Sequence, residues 1–253
     1  MSALFTGSNL QGQYIAIVGG ARGIGAAVAA RLAGGGAHVA ILDQDGDGAA
    51  AVAADLDGGT HQQVDVTDGA EVESAIRRLE GWAPGGLHGL VNCAGIVGIS
   101  GRPSHEIDAR DFVKVLEVNL IGAFHLSHAV LPGMVERGYG RILHVSSIAG
   151  KEGNAGMVSY SASKAGLIGM VKSQGKEYAE TGVTVNALAP AVIHTDMVDA
   201  MPEEQVRYMT DRIPMRRLGE LEECAELVAW IVSPACSFTT GFTFDLSGGR
   251  AVY

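Results

Sequence analysis

The feature that most constrains this chain is an alternation. Short apolar runs bounded by Gly or Asp recur as YIAIVGG (14–20), AHVAILD (37–43), HQQVDV (61–66), LHGLVNCAG (87–95), GRILHVSS (140–147), GVTVNALAP (182–190) and GFTFDLSGG (241–249). Between them lie Ala-rich or amphipathic segments at 23–33, 46–56, 68–80, 108–137, 158–181 and 220–233, whose apolar residues keep helical spacing. Strand followed by helix throughout requires crossover connections, hence a parallel sheet with helices on both faces. A sheet buried on both faces also explains why the strands read as continuous apolar runs rather than as period-two patterns. A length of 253 residues is ordinary for one such domain, so the expectation is a single doubly wound α/β domain over 1–253 with seven parallel strands. One stretch breaks the pattern. Residues 191–219, AVIHTDMVDAMPEEQVRYMTDRIPMRRLG, mix two prolines, four methionines and scattered charge, and read as a mobile flap over a substrate site.

Charge and cysteine content narrow the clients. Eighteen Lys and Arg against 28 Asp and Glu give a formal charge of -10 with no basic cluster, which argues against nucleic acid or an anionic membrane as partner and for a small-molecule substrate. Cys93, Cys224 and Cys236 are odd in number and lack C-x-x-C spacing, so neither a disulfide framework nor a metal site is suggested, and a reducing compartment fits. The opening MSALFTGSNLQGQ has no basic segment followed by an apolar run, and no later stretch reads as the roughly 20 apolar residues of a membrane span. A cytoplasmic protein is expected.

The first strand runs directly into Gly19, Gly23 and Gly25 and then into an Ala-rich helix. Glycines let the backbone approach a diphosphate, and the helix presents unpaired N–H groups and the positive end of its dipole to the anion. This strand-turn-helix context points to a dinucleotide and to a Rossmann-type sheet. The second strand ends in Asp43, 24 residues after Gly19, where a carboxylate accepts from an adenosine ribose 2′-OH and repels a 2′-phosphate. NAD is therefore expected over NADP, although Arg22 in the glycine turn pulls the other way. Asp65, at the end of the third strand, is placed either to meet the adenine amino group, with Val66 packing on the ring, or to start the next helix as a cap.

Further along the chain, SYSASKAG (159–166) sets Tyr160 and Lys164 at i and i+4, one helix face. A free phenol ionises near pH ~10. An ammonium about 4 Å away at an effective dielectric of about 20 contributes roughly 4 kcal/mol, about three pK units, enough to bring Tyr160 near seven as a general base. The ends of strands four and five, VNCAG and HVSSIAG, belong in the same region, since ligands in such sheets bind at the strands' carboxyl ends.

Taken together these residues resemble the short-chain dehydrogenase/reductase family over nearly the whole chain. The turn GGARGIG, with Ile24 between its last two glycines, looks like the family's cofactor turn; NCAG (Asn92, Cys93, Ala94, Gly95) resembles its N-N-A-G motif. Ser147 stands 13 residues before Tyr160 as the family's catalytic serine does, and EVNLIG supplies Asn119 where the family has its helix asparagine. Val18 stands where a threonine is usual, Cys93 replaces the second asparagine, and Ala191 replaces the glycine that commonly follows Pro190. The resemblance implies a catalytic set of Asn119, Ser147, Tyr160 and Lys164. In it Tyr160 takes the substrate hydroxyl proton, Ser147 holds the reacting oxygen, Lys164 lowers the phenol pKa and binds the nicotinamide ribose, and Asn119 anchors a water through which the proton leaves. It also implies cofactor contacts from Asn92, Ala94, Gly95, Pro190, Ile193 and Thr195, and a homotetramer formed through the long helices at 108–137 and 158–181. Ser146 points away from Ser147 on a strand, so only one of them is assigned.

SSIAGKEGN, APAVIHTDM, IPMRRLG and FDLSGGRAVY are similar to the family's sugar-acid branch, which includes NAD-dependent dehydrogenases of 2-keto-3-deoxy sugar acids such as L-rhamnonate or fuconate derivatives. A carboxylated substrate calls for a cation, which Lys151, Arg207, Arg212 or Arg102 could supply. Lys151, Glu152 and Asn154 begin the loop between Ser147 and Tyr160 and are the substrate-facing candidates, whereas His194 reads as a packing or surface histidine. A 3-oxoacyl-carrier-protein reductase using NADPH shares most of these motifs, and a non-catalytic nucleotide-binding member is a reading from another class.

Overall fold

A computed structural model describes residues 9–199 and 201–251. Seven strands form one sheet: β1 (Tyr14–Val18), β2 (His38–Asp43), β3 (Thr60–Gln63), β4 (Gly89–Asn92), β5 (Gly140–Val145), β6 (Val183–Pro190) and β7 (Thr243–Leu246). Their order is β3-β2-β1-β4-β5-β6-β7, with every neighbouring pair parallel. Each of the first six strands is followed by helix: α1 (Gly23–Gly34), α2 (Gly46–Ala54), α3 (Gly69–Trp82), α4 (Ala109–Leu116), α5 (Gly122–Arg137), α6 (Ile148–Glu152), α7 (Val158–Glu177), α8 (Asp196–Asp199), α9 (Glu203–Asp211) and α10 (Leu221–Ile231). The seven-stranded, doubly wound α/β domain expected from the alternation is the one observed.

Successive strand residues feed opposite layers, as the pleat requires. Ala16 and Val18 pack with Val72, Ile76, Leu126, Val130 and Val171 under α3, α5 and α7. Ile15 and Ile17 pack with Val28, Leu32, Ala49, Val228 and Ala229 under α1, α2 and α10. Helix starts are written locally. Asp45 accepts from Gly48 N, Asp68 from Ala70 N and Glu71 N, and Asp108 from Arg110 N. Asp65, by contrast, is no helix cap; it accepts from the Thr67 amide and hydroxyl at 2.9 and 2.8 Å, and Asp68 caps α3.

The elements differ from the expectation in four places. The strands are shorter than the apolar runs, because the runs continue into ligand-facing turns. The span 108–137 is one helical run interrupted by a π-helical stretch, Glu117–Ile121, which a continuous apolar period does not reveal. By length and composition the run Ala109–Arg137 is apolar enough to cross a membrane, contrary to the expectation above. Here it lies along the sheet, with Leu126, Val130 and Met134 fully buried. The segment 191–219, read as a flap, contains α8 and α9 and closes on itself at its base: Ile193 bridges Gly219, and His194 N donates to Gly219 O at 2.8 Å.

Candidate active site

The chain leaves β1 for α1 on one side and re-enters at β4 on the other, and the crevice between these two strand ends is where such a sheet binds ligands. Gly19 (φ +73°) follows β1 so closely on the loop after β4 that a Cβ there would lie 2.6 Å from Ala94 N. At Gly23 (φ +55°) nothing lies within 4 Å of an added Cβ, so the turn is open toward the cleft. Arg22 begins α1 without a side-chain cap, and the first turn holds no acidic residue. The N–H groups at this helix end are therefore left for an anion.

The cleft has a volume of about 440 Å³. Gly19, Arg22, Gly23, Ile24 and Gly25 line it, and so do Asp43, Asp65, Val66, Ala94, Gly95 and Thr195, all expected from the sequence. Gln44, Ile96, Lys114 and Val118 line it too and were not anticipated. Lys114 reads as one more solvated helix residue until the fold turns α4 toward the loop after β4. Asp43 does two jobs at the cleft wall, accepting from Ala21 N and from Asp45 N, each at 3.0 Å, so the carboxylate that faces the cleft also fixes the glycine turn. The open turn, the free helix N-terminus and this carboxylate fit a dinucleotide.

Five residues expected to bind cofactor, Asn92, Tyr160, Lys164, Pro190 and Ile193, lie off the cleft lining. Pro190 ends β6 beside Leu246, and Ile193 is buried at the flap base. Asn92 is buried beneath the cleft, where its Oδ1 accepts from Ala94 N (3.1 Å) and its Nδ2 faces His144 Nδ1 (3.2 Å). The backbone N–H of Ala94 can only donate, which fixes the amide orientation and makes His144 Nδ1 an acceptor. The imidazole proton is then on Nε2, which donates to Ser127 Oγ at 2.9 Å. Burial holds His144 neutral, with its pKa depressed to about 3.

Asn119, Ser147, Tyr160 and Lys164 come together at one end of this cleft. Ser147 lies just beyond the end of β5, caps α6 by accepting from Ala149 N at 3.1 Å, and hydrogen-bonds the Tyr160 hydroxyl. Lys164 Nζ lies 5.7 Å from the Tyr160 ring centre and donates to Val145 O at 2.7 Å. A Cβ on Gly95 would meet both Asn119 Oδ1 and Lys164 Nζ at 3.2 Å, which puts these two groups against the cleft wall. Ser146 points the other way and bonds Lys164 O. Asn119, in the π-helical stretch, ties the loop after β4 to α7. Its Oδ1 accepts from Ile96 N (2.8 Å), and its Nδ2 donates to Ile96 O and Ser163 Oγ, both at 2.9 Å. Both amide protons are thus spent on protein rather than left for water.

The electrostatics of this pair differ from the expectation. Burial raises the Tyr160 pKa, opposed by the Ser147 hydrogen bond, and burial lowers Lys164 to about 8. An ammonium desolvated in the same pocket and bound to a carbonyl cannot deliver the full Coulomb effect read from the i, i+4 spacing. The geometry of the pair holds; a phenol pKa near seven does not follow from the chain alone.

The substrate candidates are engaged elsewhere. Lys151 pairs with Asp245 at 2.7 Å, Glu152 with Arg250 at 2.8 Å, and Asn154 Oδ1 accepts from Arg250 at 3.1 Å. Arg212 stacks on Tyr208. His194 is a surface residue held between Asp199 and Glu220, and the hydrogen bond to Asp199 raises its pKa. Among the described residues no cluster of His, Cys, Asp and Glu is arranged to hold a metal.

The chain is similar to known proteins over nearly its whole length. A family model described as enoyl-(acyl carrier protein) reductase matches residues 19–251. A 2-dehydro-3-deoxy-L-rhamnonate dehydrogenase (NAD(+)) from Sphingomonas sp. (strain SKA58) is 45% identical over 242 residues, 96% of each chain. A 3-oxoacyl-[acyl-carrier-protein] reductase from Vibrio cholerae is 39% identical, covering 95% of this chain and 98% of its own. The crystal structure of gox2181 superposes with a TM-score of 0.92 at 30% identity, over 97% of this chain and 99% of that one.

Proposed function

The chain belongs to the short-chain dehydrogenase/reductase family, oxidoreductases that use a nicotinamide cofactor, and on that premise we propose that it oxidises a secondary hydroxyl of a 2-keto-3-deoxy sugar acid with NAD. The observation that carries the reading is the Ser147–Tyr160 hydroxyl pair beside Lys164, at the end of a cleft whose wall holds the Asp43 carboxylate.

When bound, the nicotinamide supplies the hydride acceptor. Glycines 19, 23 and 25 with the α1 N-terminus would hold the dinucleotide's diphosphate, and Asp43 would receive its adenosine ribose hydroxyls. Ser147 donates to the reacting oxygen and Tyr160 takes its proton. Lys164 keeps its own proton below about pH 8, and as a cation against the cleft wall it favours the phenolate, a bias to which an oxidised nicotinamide would add. Asn119 fixes α7 relative to the loop after β4, so Tyr160 and Lys164 keep their distance from the cofactor cleft. The 45% identity to an NAD-dependent sugar-acid dehydrogenase supports the substrate class. A homotetramer belongs to the same reading, supported by the exposed Val113 on α4, Ile121 in the π-helical stretch and Phe124 on α5, and so does a cytoplasmic location.

A second reading, an acyl-carrier-protein ketoreductase using NADPH, is favoured by Arg22 in the cleft and by the Vibrio relative. A panel of sugar acids, simple secondary alcohols and 3-oxoacyl thioesters, assayed with both cofactors, separates the two. The dehydrogenase reading expects 2-keto-3-deoxy sugar acids with NAD to give kcat/KM at least about tenfold above any other combination. Equal turnover with NADP, or preference for the thioester, contradicts it.

A further inference from the structure

The described C-terminal residues lie between two elements that flank the candidate active site. After β7 the chain turns tightly at Ser247, whose carbonyl accepts from Arg250 N and whose hydroxyl accepts from Ala251 N, each at 3.1 Å. On one side this turn meets the end of the flap. Met215 N donates to Gly248 O at 3.1 Å, and a Cβ on Gly248 (φ +58°) would lie 2.6 Å from the Ile213 side chain. On the other side it meets α6. Asp245 takes Lys151, and Arg250 places Nε and Nη2 on Glu152 Oε2 (3.0 and 2.8 Å) and Nη2 on Asn154 Oδ1 (3.1 Å). The two ion pairs run in opposite senses, cation on α6 in one and anion on α6 in the other. A slip of one residue would set like charges together, so the pairs specify register as well as attachment. The Arg250 and Lys151 side chains are only 8% and 10% exposed, so water screens them little.

Helix α6 is short and has two further constraints. Its N-cap is Ser147 itself. Its Gly150 lies against the backbone of α7 at Lys164, where a Cβ would come within 2.7 Å of the Lys164 carbonyl carbon. Whatever holds α6 therefore holds the Ser147 hydroxyl against Tyr160.

We infer that the turn Asp245–Ala251 is a brace that ties the flap to α6, and that Arg250 is a positioning residue that sets Ser147 through Glu152 and Asn154. The inference rests on the reading of Ser147 as the group that holds the substrate oxygen. It gives Lys151 and Glu152 a different task from direct contact with substrate, since both are engaged by the brace.

Amide hydrogen exchange, NAD+ titration and turnover of a 2-keto-3-deoxy sugar acid, measured on the full-length Arg250→Ala protein, test it. Exchange across 147–153 should quicken by about tenfold while α1 and α5 keep wild-type protection. Turnover kcat/KM should fall by about tenfold or more with the NAD+ Kd within about twofold of wild type. The charge-swapped pair Glu152→Arg with Arg250→Glu should recover more of both than either single change. Wild-type exchange at 147–153, acceleration spread equally over α1 and α5, or a swap no better than its singles would overturn the brace. Failure of the functional reading looks different: Ser147→Ala would stay active while the exchange result at 147–153 stood.

Discussion

His144 shows at the scale of one residue how the site is carried from below. Its neutral ring joins Ser127 on α5 to Asn92 at the end of β4, and Asn92 in turn holds the amide of Ala94 at the cofactor cleft. A proton on this ring would face the Asn92 amide protons and sit in the field of Lys164, and burial denies it water. The unfolded chain takes up that proton near pH ~6.5, while the folded chain refuses it until about 3, so stability falls as pH drops through this window. The slope is about 1.4 kcal/mol per pH unit. Urea unfolding of His144→Asn between pH 7 and 5 should therefore lose about 2 kcal/mol less stability than wild type, and parallel pH profiles would refute the assignment. None of this was legible in the sequence, where His144 is one apolar-strand residue among others. The place of Asp43 at the cleft wall was legible because it ends the second strand; its hold on Ala21 N depends on how the glycine turn folds back.

At the scale of the element, the decisive contact is α6 on α7. Gly150 is there because only a hydrogen fits between the two backbones. Gly150→Ala should cost about 1–3 kcal/mol in unfolding free energy and reduce turnover, because α6 must lift off Lys164 and take Ser147 with it. Gly81→Ala in α3, where an added Cβ meets nothing within 4 Å, should be neutral or stabilise by up to about 1 kcal/mol. Thermal and denaturant melts that rank the two alike would show that the backbone contact is not what Gly150 serves. The long helices and all seven strands could be read in advance because burial on two faces writes apolar runs directly. Helix α6 could not, since five residues of IAGKE carry too little periodicity. Nor could α8 and α9, whose sequence is dominated by charge and methionine. The π-helical stretch around Asn119 is hidden because the apolar period continues across it.

For the whole molecule, the doubly wound topology brings to one crevice residues as far apart in sequence as Gly19 and Thr195. The alternation of strand and helix predicts that crevice, and the glycine turn predicts what it binds. The partners of Lys151 and Glu152 are 94 and 98 residues away and emerge only when β7 closes the sheet, so the sequence suggested substrate contact where the fold supplies ion pairs. The phenol's pKa is likewise a property of the assembled site: burial raises it, the Ser147 hydrogen bond opposes that rise, and cations closing around it in the working complex would lower it. We propose Tyr160 as the proton acceptor of an NAD-dependent alcohol oxidation. Steady-state NAD+ reduction by wild type and Tyr160→Phe on the best sugar acid, with NAD+ binding measured in parallel, addresses it most directly. Tyr160→Phe should lose kcat by about a thousandfold with the NAD+ Kd little changed; a Tyr160→Phe enzyme that turns over at a rate near wild type would contradict that role.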